Sequence, residues 1–315
     1  MKKLHPLLCS ILILTAVFSC KNEPIFYAIE KEIALEKPVV LGNVLSMTQA
    51  KDKLYAAAGK LYVKNSTAIR SWNEAAKPGF VIQVASDDTH LYVRDKEANL
   101  YSSPHGTSLS WTKIDTAKML FDNNALNASD NNALNASGKK AFAVKDNGVY
   151  ELTNGSISVA VSSGGASGSS IAAEYINDAS ETFFSASPMF TSNRTDTLYR
   201  IVSGNIEYST NNTDWTSLSI PVMEPKSLEF YQRGDSSYLL IGTKTGVITA
   251  ILNTPTSAAL TTIPGDNADS CFGKSEVPFI FTFSNNIYVF SLKPDTTKDT
   301  KFWAYYPTRD NWNLE

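Results

Sequence analysis

The stretch VIQVASDDTHLYV at positions 81–93 contains two short runs of apolar and β-branched residues joined by a polar Asp-Asp-Thr connection. Runs rich in Val, Ile and Tyr favour strands, and a short polar connection between two of them favours an antiparallel hairpin. Asn99-Leu100-Tyr101-Ser102 and Ser110-Trp111-Thr112-Lys113-Ile114 follow, again separated by polar residues. The segment therefore predicts four consecutive antiparallel strands, the last of which carries a tryptophan.

The same order of strands and turns recurs along the chain. The further copies lie at 54–73, 141–150, 198–216, 238–248 and 279–314. Trp72, Trp215 and Trp312 occupy the place of Trp111 in three of them, while the copies at 141–150 and 238–248 lack a tryptophan. Trp72 and Trp111 are 39 residues apart, and a repeat of about 40 to 45 residues with four strands is typical of a propeller blade.

These copies predict an all-β fold, a β-propeller of four-stranded antiparallel blades in one domain at 25–315. A single blade buries its two faces only against its neighbours, so the blades must close into a ring. At about 42 residues per blade the chain has room for seven blades, which we favour, although only six copies are legible. Residues 171–188 would form a degenerate seventh copy or a long insertion, and residues 25–41 would add a strand that closes the ring.

The units that end in Leu-Tyr-x-Ser, a polar turn and Trp resemble the BNR or Asp-box repeats of sialidase-like β-propellers. That pattern places Ser, Asp, Gly and Trp at fixed offsets within a hairpin. The segment from Ser209 to Trp215 is one residue shorter than the pattern, and the segment from Ser102 to Trp111 is longer. The resemblance therefore implies the fold of those proteins, and it implies none of their activity.

The beginning of the chain has the form of an export signal. Lys2 and Lys3 precede an apolar run at 7–18, and Ser19-Cys20 follows that run. The run is too short to span a bilayer and ends at a small residue, as in a secretory signal peptide.

The tetrapeptide Val17-Phe18-Ser19-Cys20 resembles a bacterial lipobox, in which a signal peptidase cuts before the cysteine and its sulfur becomes acylated. The resemblance implies a lipoprotein signal peptide at 1–19, a lipidated Cys20 and a short tether at 20–24. Phe18 departs from the strict lipobox, a departure typical of spirochaetal lipoproteins. Several acyl chains make a stable membrane anchor, so we expect the protein on the cell envelope, at the surface of the outer membrane. The alternative is an ordinary signal peptide with an incidental cysteine.

Arg233-Gly234-Asp235 is the most specific short motif in the chain, and it lies between two apolar runs at 228–231 and 238–241. Glycine permits the positive φ of a tight hairpin turn, so the arginine and the aspartate should project outward. The tripeptide matches the RGD motif that integrins recognise, in which the carboxylate completes the coordination of a receptor metal and the guanidinium meets acidic groups. The alternative is that Gly-Asp-Ser-Ser provides favourable turn chemistry and that the neighbouring arginine is incidental.

The octapeptide DNNALNAS occurs twice in tandem, at 122–129 and 130–137. Asn, Ala and Ser form poor cores, so the duplication predicts a solvated loop. It is either a tolerated accident or a variable exposed loop of a surface antigen. The Gly- and Ser-rich segment at 162–170 is typical of a flexible linker.

Composition excludes several classes of protein. The chain has 315 residues, a formal net charge of −3 and 3 Cys, which argues against a nucleic-acid binder and against a disulfide scaffold. His90 and His105 are the histidines after the signal, and they lie on different predicted elements. The absence of any catalytic or metal-binding motif predicts no enzyme activity, no cofactor and no metal.

The leading hypothesis is a lipid-anchored, surface-exposed β-propeller that binds host matrix glycoproteins such as fibronectin or laminin, or integrins. It looks like a spirochaetal surface lipoprotein, and we expect a monomer. The first alternative is a periplasm-facing scaffold for envelope or outer-membrane protein assembly, and the second is a glycan-processing hydrolase.

Overall fold

The repeated strand pattern folds into six four-stranded antiparallel sheets, each formed by consecutive strands. The computed structural model describes residues 38–44, 46–106, 108–122, 139–145, 148–160, 191–192, 197–210, 214–222, 224–254, 257–283, 285–293 and 300–315. Sheets 1 to 3 comprise β1 Ser46–Ala50, β2 Lys53–Ala57, β3 Leu61–Asn65, β4 Asn73–Glu74, β5 Val81–Ser86, β6 His90–Asp95, β7 Asn99–Pro104, β8 Thr112–Thr116, β9 Met119–Asp122, β10 Ala141–Lys145, β11 Gly148–Thr153 and β12 Ser156–Ala160.

Sheets 4 to 6 repeat this arrangement. They comprise β13 Thr191–Ser192, β14 Leu198–Val202, β15 Asn205–Ser209, β16 Thr216–Ser217, β17 Pro225–Arg233, β18 Ser236–Thr243, β19 Gly246–Thr254, β20 Ser257–Thr261, β21 Glu276–Phe283, β22 Asn286–Leu292, β23 Thr300–Tyr306 and β24 Asn311–Leu314. A five-residue helix, α1 (Ala268–Phe272), lies between β20 and β21.

Turn chemistry that is visible in the sequence sets the hairpins. Asp87 follows β5, and its Oδ1 accepts the backbone N–H groups of Thr89 and His90, both at 2.6 Å. The Tyr92 hydroxyl donates to Asp87 Oδ2 at 2.6 Å. A carboxylate that binds the next backbone amides stabilises a tight turn, so Asp87 brings β6 back against β5.

Apolar clusters fill the space between successive sheets. Tyr55 and Leu91 share a cluster between sheets 1 and 2, and corresponding clusters join sheets 2 and 3, 4 and 5, and 5 and 6. The last sheet also packs on the first, where Phe281, Tyr288 and Phe302 meet residues of β1 and β2. Within the described residues, these clusters connect the sheets in the order 4-5-6-1-2-3, so the last sheet packs on the first as a propeller requires.

The junction between the last sheet and the first also contains a buried ion pair. Lys64 Nζ on β3 lies 3.2 Å from Glu315 Oε2, and both side chains are fully buried. The Lys64 ammonium also donates to the Tyr306 hydroxyl at 2.7 Å and lies 4.8 Å from the ring centroids of Trp72 and Tyr288. Burial lowers the pKa of Lys64, and the Glu315 carboxylate opposes that effect.

Glu315 is held from several directions. Its Oε2 accepts the Trp72 indole N–H at 2.6 Å, and its Oε1 accepts the Tyr306 hydroxyl at 2.8 Å. Its backbone carbonyl accepts the Val40 N–H at 3.2 Å, and its own N–H donates to the Phe302 carbonyl at 2.8 Å. The two ends of the described chain are thus joined through hydrogen bonds and one compensated charge pair.

The first strands of neighbouring sheets run in the same direction. The Ser46 hydroxyl donates to the Val84 carbonyl at 2.9 Å, and further along β5 the Ser86 hydroxyl donates to the Gln49 carbonyl at 2.8 Å. β9 runs in the same direction as β5, and β21 runs in the same direction as β17. The hydrogen-bonded pairs that show this are Gln83–Leu120, Ser86–Asp122, Ser227–Val277 and Phe230–Thr282.

The first and last sheets are also aligned. The Leu41 N–H donates to the Tyr62 hydroxyl at 3.1 Å, near the beginning of β3. Its neighbour Val40 meets Glu315, which binds Phe302 near the beginning of β23. We call the side on which the first strands begin the start face. We call the side on which they end, with the β1–β2, β5–β6 and β17–β18 turns, the end face.

The prediction of an all-β propeller of four-stranded antiparallel blades is confirmed. The expectation that the last strand carries a tryptophan is right for Trp312 in β24. It is wrong for Trp72, Trp111 and Trp215, each of which directly precedes a short last strand. The structure describes six sheets at the six legible copies, and the segment at 171–188, the expected source of a seventh, lies outside the described residues. Residues 25–37 also lie outside them, and residues 38–41 form no strand. Closure at this point comes from the hydrogen bond between Val40 and Glu315.

We expect Lys64→Met to lower the free energy of unfolding by about 3 to 5 kcal/mol, because it leaves the Glu315 carboxylate buried without its cation. Urea unfolding followed by tryptophan fluorescence measures this change. The double variant Lys64→Met/Glu315→Gln removes both charges and should recover most of the loss. Equal instability of the single and double variants would show that the charge pair contributes no compensation.

Candidate functional site

The Arg233-Gly234-Asp235 motif forms the turn between β17 and β18. Arg233 pairs with Ser236 across the hairpin, so Gly234 and Asp235 are the two turn residues. Gly234 has a φ of +59°, and Asp235 has no positive φ. This combination matches the type II′ hairpin turn, which has glycine at its first central position. The prediction that the motif lies on a hairpin turn with a left-handed glycine agrees with this geometry.

The hairpin that carries the motif has a firm base. β17 and β18 have nine and eight residues, and they pair without interruption from Ser227 to Arg233. Leu228, Phe230 and Leu239 are buried between sheets 4 and 5. Because the strands are anchored in the core, the turn has little freedom to change its conformation.

Both charged side chains of the motif are exposed. Neither the Arg233 guanidinium nor the Asp235 carboxylate has a hydrogen bond or an ion pair with any residue that the structure describes. The Gln232 Nε2 group donates to the Gly234 carbonyl at 3.2 Å, and this hydrogen bond stabilises the turn. The motif thus presents a cation and an anion side by side on a constrained turn.

The surroundings of the turn are aromatic. Burial raises the pKa of Tyr231, and the nearby Arg233 guanidinium opposes that effect. The same guanidinium acts on Tyr305, whose pKa burial and the Asp310 carboxylate raise. The Tyr305 hydroxyl donates to Asp310 Oδ1 at 2.6 Å, in the turn between β23 and β24. Arg233 is therefore close to Tyr231 on its own sheet and to Tyr305 on the neighbouring sheet.

Other sequence-predicted features lie outside the described residues. Cys20 with its tether, the linker at 162–170 and the octapeptide residues 123–137 belong to this group. Asp122, the first residue of the octapeptide, is described, and the prediction of a solvated loop is wrong for it. It is buried at the end of β9, because its carboxylate accepts the Ser86 N–H at 3.1 Å and binds the Thr48 hydroxyl.

A polar cluster around Asp122 escaped sequence reasoning. Lys139 Nζ lies 3.5 Å from Asp122 Oδ2 and donates to the Thr48 hydroxyl at 2.9 Å and to the Gln49 carbonyl. Burial lowers the pKa of Lys139, and Asp122 opposes that effect. These contacts connect β1, β9 and the start of β10, so the cluster holds sheets 1 and 3 together beneath the end face.

A second buried acid lies between β17 and β21. Glu229 Oε1 accepts the Thr282 hydroxyl at 2.9 Å. Burial raises the pKa of Glu229 from its ordinary value of 4.5 to about 8, although hydrogen bonds from Thr282 and from the Phe230 backbone oppose the rise. At neutral pH the folded protein therefore holds this carboxyl mostly in its protonated form. No sequence signal marks it, because it occupies an ordinary strand position.

Within the described ranges, no three residues of the His, Cys, Asp and Glu types come together in a way that could hold a metal ion. The described part of the chain also has no helix whose length and apolar character would let it cross a membrane. The Arg233-Gly234-Asp235 turn is the candidate site because it places two exposed side chains of opposite charge next to each other on a hairpin.

A family model described as the TP013X lipoprotein family matches residues 4–264. The match covers the predicted signal, sheets 1 to 5 and the candidate turn, and it ends before β21. No curated protein matches the sequence.

Several solved structures are similar to this chain. YCF48 from Cyanidioschyzon merolae is 13% identical with a TM-score of 0.46, over 89% of this chain and 87% of that one. PorZ, a surface component of the type-IX secretion system of Porphyromonas gingivalis, is 14% identical with a TM-score of 0.36, over 85% of this chain and 33% of PorZ. The SapL1 lectin, in complex with alpha methyl fucoside, is 9% identical with a TM-score of 0.42, over 85% and 94%.

We expect the Glu229 carboxyl to lower the stability of the folded protein as pH rises from about 5 to about 8. The folded state keeps a proton on Glu229 that the unfolded state releases, and one such proton changes the free energy of unfolding by at most about 1.4 kcal/mol per pH unit. Glu229→Gln should flatten this slope and raise stability at pH 8. Urea unfolding at several pH values measures the slope of the free energy of unfolding against pH. Glu74→Gln is the control, because it removes an exposed carboxyl. An unchanged slope in Glu229→Gln would contradict the assignment.

Proposed function

Because the chain belongs to the TP013X lipoprotein family, we propose that it is a lipid-anchored binding module at the cell surface, an adhesin that uses its Arg233-Gly234-Asp235 turn. The observation that carries this proposal is the turn itself, whose two charged side chains are exposed and have no partner among the described residues. The target is host fibronectin, laminin or an integrin. The tripeptide favours integrins, because it matches the motif that they recognise.

The rigidity of the hairpin supports a binding function. Ordering a flexible loop on binding lowers affinity, and a turn that is held in one conformation avoids that loss. A Cβ atom at Gly234 would meet no heavy atom within 4 Å, so the role of this glycine is the positive φ of the turn and not close packing. The hairpin thus projects the motif into open space in one preferred geometry.

The anchor supports a cell-surface role in a second way. Acylation of Cys20 would place many copies on one membrane, and weak contacts made by many tethered copies add up to strong attachment. Display at the outer surface and the spirochaetal type of lipoprotein with Asp-box-like repeats are parts of the same proposal. Each turn would then need only modest affinity for its receptor.

A second candidate function is a periplasm-facing scaffold. The observation that favours it is β20, which is the outer edge of sheet 5 and exposes residues 259–261. An exposed edge strand offers unpaired backbone groups to a partner strand. This function would require the protein to face the periplasm, and adhesion would require the outside.

We expect Asp235→Glu to reduce attachment of integrin-bearing cells to the immobilised protein by about tenfold, equivalent to about 1.4 kcal/mol. The extra methylene moves the carboxylate away from the position that the turn gives it. Asp52→Glu is the matched control, because Asp52 is exposed in the β1–β2 turn and lies on the same face without a neighbouring Arg-Gly. Equal attachment of cells to the parent protein and to Asp235→Glu would show that the motif only forms a turn and does not bind the receptor.

We also expect proteinase K, added to intact cells, to degrade the protein. A soluble periplasmic protein followed in the same sample should survive until the outer membrane is permeabilised, and immunoblotting measures both. Survival of the lipoprotein in intact cells would favour the periplasmic scaffold over the adhesin.

A further inference from the structure

The start face carries an exposed apolar pair at the place where the chain enters the propeller. Leu41 and Phe80 are the two most exposed large apolar residues that the structure describes, at 57% and 52%. Contiguous exposed apolar surface often marks a site of interaction with a partner or a membrane. The pair therefore indicates an interaction surface on this side.

Both residues flank one turn, that between β2 and β3. The Phe80 ring lies against Gly59, because a Cβ atom on Gly59 would come within 2.6 Å of Phe80 Cζ. Gly42 is next to Leu41, and a Cβ atom on Gly42 would come within 2.6 Å of the Ala58 carbonyl oxygen. Gly59 also exchanges backbone hydrogen bonds with Val81 at 2.8 and 3.1 Å. These close contacts hold Leu41 and Phe80 in place at the surface.

Lysine side chains lie close to the apolar pair, and two of them have an acidic neighbour. Lys96 Nζ lies 5.7 Å from the Phe80 ring centroid and 3.9 Å from Glu97 Oε1. Lys60, in the same turn as Gly59, pairs with Glu74 at 2.7 Å. Long lysine side chains can lie along an apolar surface and place their charge at a membrane interface. Lys77 Nζ donates to the Gly79 carbonyl at 2.7 Å, so the patch is apolar at its centre and carries lysines at its rim.

The described chain begins at Pro38, three residues before Leu41. Residues 20–37 separate the predicted acylation site from Pro38, and a chain of that length spans at most about 60 Å when extended. Such a tether allows every orientation of the propeller, so the faces themselves decide which side meets the bilayer. The chain enters on the start face, and the Arg233-Gly234-Asp235 turn lies on the end face.

We propose that Leu41 and Phe80 rest on the bilayer surface and orient the anchored propeller with its end face outward. The occupant of the patch is the membrane that carries the lipid anchor. Burial of apolar side chains in the interface drives the contact, so added salt should change it little. The inference rests on lipid anchoring and does not depend on adhesion, so the two can fail separately.

Site-directed spin labelling of the mature, lipidated protein in phosphatidylcholine vesicles tests this orientation. Labels are placed in a Cys271→Ser background at Leu41→Cys, Phe80→Cys, Asp235→Cys and Leu260→Cys. Leu260 is the matched control, because it is an apolar residue that is 46% exposed on the outer edge strand β20. All four positions are exposed, so the substitutions leave the core intact, and an unchanged melting temperature checks this.

We expect the accessibility of the labels at 41 and 80 to a water-soluble nickel complex to fall several-fold when the protein joins the vesicles. Without vesicles, both labels should stay accessible. The labels at 235 and 260 should remain accessible, in low and in high salt. Equal accessibility at 80 and 260 on vesicles, shielding at 235, or failure of the protein to associate with vesicles would each overturn the proposal. Cell attachment is measured independently, so its loss with correct orientation would contradict the adhesin alone.

Discussion

The contact between the last sheet and the first is the constraint on which the rest of the structure depends. Every sheet has two apolar faces, and the first and last sheets can cover theirs only against each other. Lys64 and Glu315 lie inside this junction as a fully buried ion pair. Desolvation makes such a pair stable only when both charges have further partners, which Trp72 and Tyr306 supply here. The junction therefore combines apolar burial with an ion pair whose two charges are both hydrogen-bonded.

Closure gives the molecule two chemically different sides. The first strands of sheets 1, 2, 3, 5 and 6 run in the same direction, so the β1–β2, β5–β6 and β17–β18 turns emerge on the end face. The start face receives the chain at Val40 and exposes Leu41 and Phe80. The end face presents Arg233 and Asp235 on a constrained hairpin. In our two proposals, the start face rests on the membrane and the end face offers its charged groups to a partner.

Sequence reasoning succeeded where the cause is local. The turn at Gly234 follows from glycine between two apolar runs, and the strands around Trp72, Trp111, Trp215 and Trp312 follow from repeated spacing. It failed at Asp122 and did not find Lys139, because their burial depends on Thr48 and Ser86 from other sheets. The raised pKa of Glu229 has the same origin, since it reflects the packing of β17 on β21 and leaves no pattern along the chain.

The sequence by itself determined the strand type, the four-strand repeat and the position of the candidate turn, because alternation, turn residues and spacing act over a few residues. Only the tertiary structure decided which polar side chains became buried, which residues closed the ring and which turns share a face. Those outcomes depend on contacts between residues far apart in the chain, such as Lys64 and Glu315. The free energy of these contacts comes from desolvation and packing in the assembled fold, so no local sequence pattern predicts them.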